Sequence, residues 1–387
     1  MIYRSEDIYG KLDQRIASEV EFLDMIKSGT ITDEQLLSAV SNLRLGLGQN
    51  FKLDNVSFLL GNGCSIYAGS KSTLDFNIHS VESQFQEESL IDSISNISPL
   101  PFEEQLNALT TILSYYQIIG DKREENIRVY ITRLKDHLLS KYVNSIDYHT
   151  LILHEIMLLK LRSFGCLRTT SFYTPNYDLA LEYVLDKLSI DYSNGFSGFI
   201  NRKFDPKSLQ KSNVLKLIKI HGSMNWIYDK FDNEIKEVQP QFDNGKILLQ
   251  DAECVLIYPT EQKLYQTYNA PYSELMRSML DSFESKRNVI IVIGYKYGDQ
   301  HINEILFKAI ANPNNIFYLF DYDGGECDFI KRMTILSEST SNINIFCGKF
   351  LADFSMFVKY ILPATAQKTD EEMAIELLKK VVTRDAE

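Results

Sequence analysis

Two kinds of hydrophobic pattern alternate along this chain. Ile16, Val20, Leu23 and Ile26 recur at three- and four-residue steps and predict an amphipathic helix that Ser28-Gly29 stops. Thr32 predicts the cap of a second helix, with Gln35 at capping-box spacing and Leu36, Leu37, Val40 and Leu43 behind it. Residues 1–50 are therefore expected to be helical, packed on a core or on another subunit. Asn55–Leu60 (NVSFLL) breaks the period with a short continuous apolar run, the pattern of a strand buried on both faces. From about residue 82 to 165 helical spacing returns. Leu106, Leu109, Ile112 and Leu113 share one face, and Ile127, Tyr130, Ile131 and Leu134 share another. His149–Leu161 is a strongly apolar helix, and His137, His149 and His154 read as partly buried or surface histidines.

Strand patterns resume after Cys166. Ser171–Thr174 ends a strand, and Asp178 opens a helix whose free N–H its carboxylate can accept. Pro175-Asn176-Tyr177 is the corner between them, because Pro175 lacks an N–H and disfavours helix at Thr174. Leu215–Ile220 (LKLIKI), Cys254–Tyr258, Asn288–Ile293 (NVIIVI) and Ile316–Phe320 read as further strands, with helices at Tyr272–Phe283 and from Gln300. Strand, loop and helix in repetition predict an α/β fold, a doubly wound parallel Rossmann-like sheet. The expected organisation is N-terminal helices over 1–50, a core of 51–81 and 166–365, an inserted helical subdomain over 82–165, and a C-terminal helix over 366–387.

Candidate chemistry gathers in the loops that follow apolar strands, where open α/β sheets bind ligands. Gly61-Asn62-Gly63-Cys64-Ser65 follows the first strand. Glycines there allow a tight turn or a close approach to a pyrophosphate. Ile66 stands where the dehydrogenase fingerprint has its third glycine, so this is not that fingerprint. His221-Gly222-Ser223 follows LKLIKI, and Gly294-Tyr295-Lys296-Tyr297-Gly298-Asp299 follows NVIIVI. By position, His221 is a general base or a histidine hydrogen-bonded at a strand end. Asn176 holds a hydroxyl or water, or is a turn asparagine. Trp226 reads as a core or rim anchor, and His301 as a helix-start or partner-contact residue.

Composition narrows the classes. The chain has 387 residues, enough for two domains or one with a large insertion. Its 44% hydrophobic and 24% charged content is that of a soluble globular protein. No apolar run approaches the roughly 20 residues that cross a bilayer. The start, MIYRSEDIYGKLDQ, is charged and lacks the apolar stretch of a signal peptide, so a cytoplasmic location is expected. A net charge of −12 argues against autonomous binding to bulk nucleic acid. The basic stretch Arg202–Lys219 reads as a solvated loop and helix face. Cys64, Cys166, Cys254, Cys327 and Cys347 are scattered with no Cys-x-x-Cys, so no structural zinc site is expected.

Taken together, the four loops resemble the sirtuin-like superfamily. Gly61-Asn62-Gly63-Cys64-Ser65 followed by Leu74-Asp75-Phe76-Asn77 is similar to its Gly-Ala-Gly-x-Ser and Asp-Phe-Arg segments. Pro175-Asn176-Tyr177-Asp178 resembles Gln-Asn-x-Asp, and His221-Gly222 the catalytic His-Gly. The divergent bacterial branch of anti-phage defence systems is the nearer resemblance. It is carried by Lys219-Ile220-His221-Gly222-Ser223-Met224-Asn225-Trp226 and by Gly294–Ile302, the latter containing Asp299-Gln300-His301-Ile302. The resemblance implies an NAD glycohydrolase that releases nicotinamide and ADP-ribose without a metal. It implies that Asn176 orients the nicotinamide ribose or the attacking water and that His221 accepts a proton. Gly61, Gly63, Cys64 and Ser65 would line the pyrophosphate, with Asp75 and Phe76 near the nicotinamide end. Gly294, Tyr295 and Asp299 would hold the adenosine ribose, and Asp178, Gly222 and Ser223 complete the implied NAD-binding set. Gating through oligomerisation, with a homo-oligomer expected, or through a separate partner is implied as well, and the resemblance points to a HerA-type hexameric ATPase as that partner. The missing zinc ribbon and Asn77 in place of arginine favour water over an acyl-peptide as acceptor. An NAD-dependent deacylase and a non-catalytic NAD or ADP-ribose scaffold are the competing readings.

Overall fold

The computed structural model describes residues 1–52, 55–71, 102–141, 143–229, 231–248, 254–256, 270–285 and 287–364. Asp75, Phe76 and the expected C-terminal helix lie outside the described residues. The strands in chain order begin with β1 (Ile2–Arg4), β2 (Asn55–Leu60), β3 (Thr170–Thr174), β4 (Tyr192–Ser193) and β5 (Phe196–Ser197). They continue with β6 (Arg202–Phe204), β7 (Leu215–Lys219), β8 (Gly222–Asp229), β9 (Glu234–Glu237) and β10 (Gln241–Asp243). The last are β11 (Lys246–Leu248), β12 (Cys254–Leu256), β13 (Asn288–Ile293), β14 (Ile316–Asp321) and β15 (Ile343–Cys347).

Among the described residues the central sheet has eight strands in the order β1-β15-β14-β13-β2-β3-β7-β4, and every neighbouring pair is parallel. The α/β doubly wound arrangement expected from the strand spacing is present. Successive residues of one strand enter opposite cores. Phe58, Leu60, Phe172, Leu217, Ile291 and Ile293 join one cluster, and Leu59, Tyr173, Ile218, Ile290 and Val292 join the other. Burial on both faces is why these strands read as continuous apolar runs. The chain moves outward from β2 through β3 to β7, then returns to place β13 on the other side of β2. The topological switch therefore falls between β2 and β13, where open α/β sheets form their ligand crevice.

The flanking helices are α1 (Ser5–Leu12), α2 (Glu19–Lys27), α3 (Asp33–Ala39), α4 (Ser41–Asn50), α5 (Phe102–Ile119) and α6 (Arg123–Lys141). They continue as α7 (Ile152–Phe164), α8 (Ala180–Lys187), α9 (Tyr272–Ser285), α10 (Gln300–Ile310) and α11 (Asp328–Ser339). The capping box read at Thr32 forms: Gln35 N–H donates to Thr32 Oγ1 at 3.3 Å and Thr32 N–H to Gln35 Oε1 at 2.9 Å. The N-terminal segment is not wholly helical, however. Ile2↔Ile345 and Tyr3↔Phe346 pair β1 to the edge of the sheet, and the Tyr3 ring stacks on Phe346 at 4.8 Å. Three residues are too few to show a period of two, so the pattern hid this strand. Helices α5 and α6 form a core of their own from Leu106, Leu109, Ile127, Tyr130, Leu134 and Leu138. Helix α7 instead sends Met157, Leu158 and Leu161 into the core beneath the sheet.

Two expectations change. Cys254–Leu256, read with the main strands, pairs antiparallel to β8 in a second sheet of order β12-β8-β9-β6-β5. The basic stretch is not one solvated face. Arg202 on β6 holds Glu237 at 2.6 Å, and Lys219 at the end of β7 is 1% exposed. The difference arises because alternate residues of a strand point to opposite sides, so closely spaced lysines part company.

His154 on α7 is fully buried, and Tyr67 just beyond the glycine loop donates its hydroxyl to His154 Nδ1 at 2.8 Å. The same hydroxyl accepts the His154 backbone N–H at 3.3 Å, which leaves its proton for the ring. Burial pushes the imidazole down from 6.5 to about 3, so it folds neutral. A lowered histidine binds fewer protons folded than unfolded between those values, so its stabilising contribution is lost as pH falls below 6.5. Relative to His154→Gln, the wild type should lose about 2 kcal/mol between about pH 7.5 and about pH 5. Urea unfolding of both proteins at the two pH values checks this, and parallel pH dependences would refute it.

Candidate functional site

Strands β13, β2, β3 and β7 are consecutive neighbours in the sheet and parallel, so the four candidate loops emerge at one edge. The first and last of them are locked together at the switch point. Gly61 N–H donates to Ile293 O at 3.0 Å, and Gly63 N–H to Gly294 O at 2.9 Å. A Cβ on Gly61 would stand 2.3 Å from Gly294 O, and one on Gly63 2.7 Å from Gly294 Cα. Gly294 adopts φ +67°, a left-handed conformation that suits glycine. These three glycines are thus required by two crossing backbones.

This changes the roles expected for the glycine loop. The Cys64 and Ser65 N–H groups bond back to Gly61 O and Asn62 O, at 3.1 and 2.9 Å. With those of Gly61 and Gly63 also engaged, these four amides do not present the free donors that a pyrophosphate cradle uses. Cys64 Sγ turns inward and donates to Ile293 O at 3.3 Å, and burial raises its thiol well above the ordinary range. Ser65 Oγ donates to Asp178 Oδ2 at 3.4 Å, which ties the glycine loop to the Pro175 corner.

The corner is built from both neighbouring strands. Thr174 O accepts from Ile220 N–H at 2.9 Å, and Thr174 Oγ1 donates to Leu60 O at 2.7 Å. The Asn176 N–H donates to that same Oγ1 at 3.0 Å. Thr174 and Lys219 are register partners, so Asn176 and His221 each lie two residues past a paired position on adjacent strands. Such strands run about 4.8 Å apart. Asn176 is half-buried, and among the described residues its amide has no hydrogen-bond partner. Tyr177 packs against the α5–α6 core, so the inserted helices reach the corner.

Beneath the corner lies a buried ionic cluster. Lys219 Nζ lies 3.2 Å from Glu182 Oε1 and donates to Tyr177 O at 3.1 Å and to Asp178 O. Asp178 Oδ1 accepts the Ala180 N–H at 3.0 Å, as a helix-opening carboxylate should. Its other oxygen takes Ser65, so Asp178 braces the corner against the glycine loop. Burial raises the Asp178 and Glu182 carboxyls, and although the Lys219 ammonium draws both back down, Glu182 still stands at about 7.

His221 is 3% exposed, and its Nε2 lies 2.9 Å from His301 Nε2. Asp299 joins them: one ligand atom from each of the three residues lies within 4.8 Å of the others. Two imidazoles and a carboxylate at that spacing could also hold a divalent cation. Asp299 was expected at the adenosine ribose and is found beside the expected base. Tyr295, expected there too, is 7% exposed and braces its own loop, accepting from Asp299 N–H at 3.0 Å and donating to Asp299 O at 3.2 Å. The strand-to-helix loop is short, so a tyrosine hydroxyl can reach the helix start and close it. Next to His221, Gly222 adopts φ +89° and Ser223 is fully buried. Ser223 Oγ has no hydrogen-bond partner among the described residues. Trp226 is core, 4.8 Å from the Phe196 ring. His301, read from the sequence as a helix-start or partner-contact residue, stands in the first turn of α10 and meets the buried His221. Its Asp-x-His spacing was a signal, but its partner lies 80 positions away.

A cavity of about 890 Å³ opens at the opposite, amino edge of the sheet, lined by Asn55, Thr170, Lys211, Lys216, Arg277 and Arg287 among others. It shares no residue with the four loops. The candidate site rests on the convergence of side chains at the carboxyl edge.

Residues 170–340, from β3 through α11, match the family model of the SIR2-like domain. No curated protein matches the chain. The matched stretch is similar to a class of NAD-utilising enzymes, and it contains Asn176, His221, Asp299 and His301. The glycine loop lies outside it and joins the site only through the pairing of β2 with β3 and β13.

Proposed function

We propose that this protein is an NAD glycohydrolase that yields nicotinamide and ADP-ribose. The observation that carries the reading is the emergence of Asn176 and His221 from adjacent strand ends, inside the stretch similar to SIR2-like domains. Cleavage of the nicotinamide–ribose bond passes through an oxocarbenium-like state, as in other glycosyl transfers. The Asn176 amide orients the ribose or the attacking water. His221 accepts the proton that water or a ribose hydroxyl gives up. Ser223 offers a buried hydroxyl beside them. The inward-turned Cys64, Asp178 and Tyr295 hold the loops in place.

Incubation of the chain with NAD, with products identified by mass, tests this. Wild type should release nicotinamide and ADP-ribose without an acylated peptide, and Asn176→Ala should reduce release by about 100-fold while leaving the unfolding midpoint unchanged. A requirement for an acylated peptide would establish a deacylase, and binding without turnover a scaffold.

A defence role, homo-oligomerisation and gating by a HerA-type ATPase are part of the proposal, from the resemblance of the motifs. Unrestrained NAD hydrolysis would harm its host, which favours a gated enzyme. Copurification with a candidate ATPase, and NAD loss only in the mixture, would support gating; full turnover by the isolated monomer would refute it. Among the described residues no helix is long and apolar enough to cross a membrane.

A further inference from the structure

We propose that the cavity at the amino edge of the sheet binds a nucleoside polyphosphate, at a site separate from the four loops of the carboxyl edge. Its lining begins with the starts of parallel strands. Thr170 and Ser171 open β3, and Ser171 is the register partner of Lys216 on β7. Helix α9 contributes Glu274, Arg277 and Asp281. The short turn Pro206–Gln210 and Lys211 after it complete the enclosure. The volume, about 890 Å³, lies within the roughly 300–1,000 Å³ of sites that hold a small molecule. The inference goes beyond the glycohydrolase reading and does not depend on it.

Charge defines the ligand. Arg168, Lys211, Lys216, Arg277 and Arg287 line the cavity against the two carboxylates of α9, a local positive excess in a chain whose net charge is −12. Arg168, Lys211, Arg277 and Arg287 are exposed, and among the described residues none of these four is in an ion pair. They come from four separate segments: the stretches before β3, β7 and β13, and the body of α9. Compensation of a helix dipole explains only part of this set. Cations favour the C-terminal turn of a helix, which accounts for Arg287 just past the end of α9. Arg277 lies about two turns before that end, beyond the reach of the dipole. A guanidinium presents paired N–H donors that match two phosphate oxygens, and an ammonium adds a point charge. Cations from four segments fit a chain of two or more phosphates better than a single one. Pro206 and Val214 supply apolar lining for a base or sugar. The overall negative charge repels a long nucleic acid, whereas a ligand contained in the cavity meets the local excess.

The test is calorimetric titration of the full-length chain with ADP, in the absence of NAD. ADP should bind, pyrophosphate should compete with it, and adenosine should not. Arg168→Ala and Arg277→Ala should each weaken ADP binding by about 10-fold, the loss of one charge-assisted contact. Both arginines are exposed, so the unfolding midpoints of these variants should match wild type. Lys211→Ala repeats the measurement from a third segment, should either arginine variant fail to fold. Asn176→Ala, at the other edge of the sheet, should leave ADP binding unchanged. Absence of ADP binding, binding that survives all three cation substitutions, or binding lost in Asn176→Ala would each overturn the proposal. So would competition by adenosine alone, or tighter binding of a single-stranded oligothymidylate than of ADP. Absence of nicotinamide release by a wild-type chain that binds ADP through these cations would instead refute the glycohydrolase reading and leave this site standing.

Discussion

Lys219→Met should destabilise the protein by about 3–5 kcal/mol, the cost of leaving a buried carboxylate unpaired. Lys219 is 1% exposed and sits 3.2 Å from Glu182. It also donates to the carbonyls of Tyr177 and Asp178, the two residues that follow Asn176 in the corner. Removing the ammonium takes away what draws the Glu182 carboxyl down, and burial then drives it above 7. The penalty should therefore be larger at about pH 8, where folding must force a proton onto Glu182, than at about pH 6. Lys219→Met with Glu182→Leu should recover most of the loss, because an apolar pair of similar volume replaces a buried ion pair at little cost. A residue of the loss should persist, since the Tyr177 and Asp178 carbonyls lose their donor. Urea unfolding of the two single and the double variants at both pH values measures all three quantities. Equal destabilisation in single and double variants would show that the carbonyl bonds, and not the ion pair, dominate.

His221→Gln should slow nicotinamide release by about 10²–10⁴-fold, the range of a positioned general base. Glutamine has both an amide donor and a carbonyl acceptor for His301 Nε2 but cannot take a proton at neutral pH. The folded site should then persist, with NAD affinity changed by no more than about threefold, because a base acting in the transition state contributes little to ground-state binding. Equilibrium NAD binding and single-turnover release, measured on the same sample, separate the two effects. Wild-type release by His221→Gln would remove His221 from the chemistry and leave it as a histidine hydrogen-bonded at a strand end.

Much of the fold was legible because its core strands are buried on both faces. NVIIVI is apolar from Val289 to Ile293 and NVSFLL is apolar but for Asn55 and Ser57, and each is followed by glycine, so both the strands and their loops could be placed. Thr32 and Gln35 were legible because a capping box is a local interaction four residues long. The three-residue strand at Ile2–Arg4 was not, since its pairing partner lies more than 340 positions away and its own pattern is too short. The antiparallel sheet built around β8 and β9 was also hidden, apart from the strand at Cys254. Its strands face solvent in part and mix charged with aromatic residues, so they carry no continuous apolar signal.

The candidate site divides in the same way. Local chemistry in the sequence identifies Asn176 beside Pro175, His221 at the end of LKLIKI, and the glycines after β2 and β13. These are consequences of residue type and of strand ends, which depend on a few neighbours along the chain. The tertiary structure alone decided that β13 returns beside β2, because hydrophobic periodicity reports that a strand is buried and not which strand lies next to it. That choice makes Gly61, Gly63 and Gly294 a backbone crossing. It also sends Cys64 inward and carries Asp299 and His301 to His221. The side chains expected to meet a ligand and those found to hold the loops differ for one reason: position on a loop is written in sequence, but the direction of a side chain is set by what packs against it.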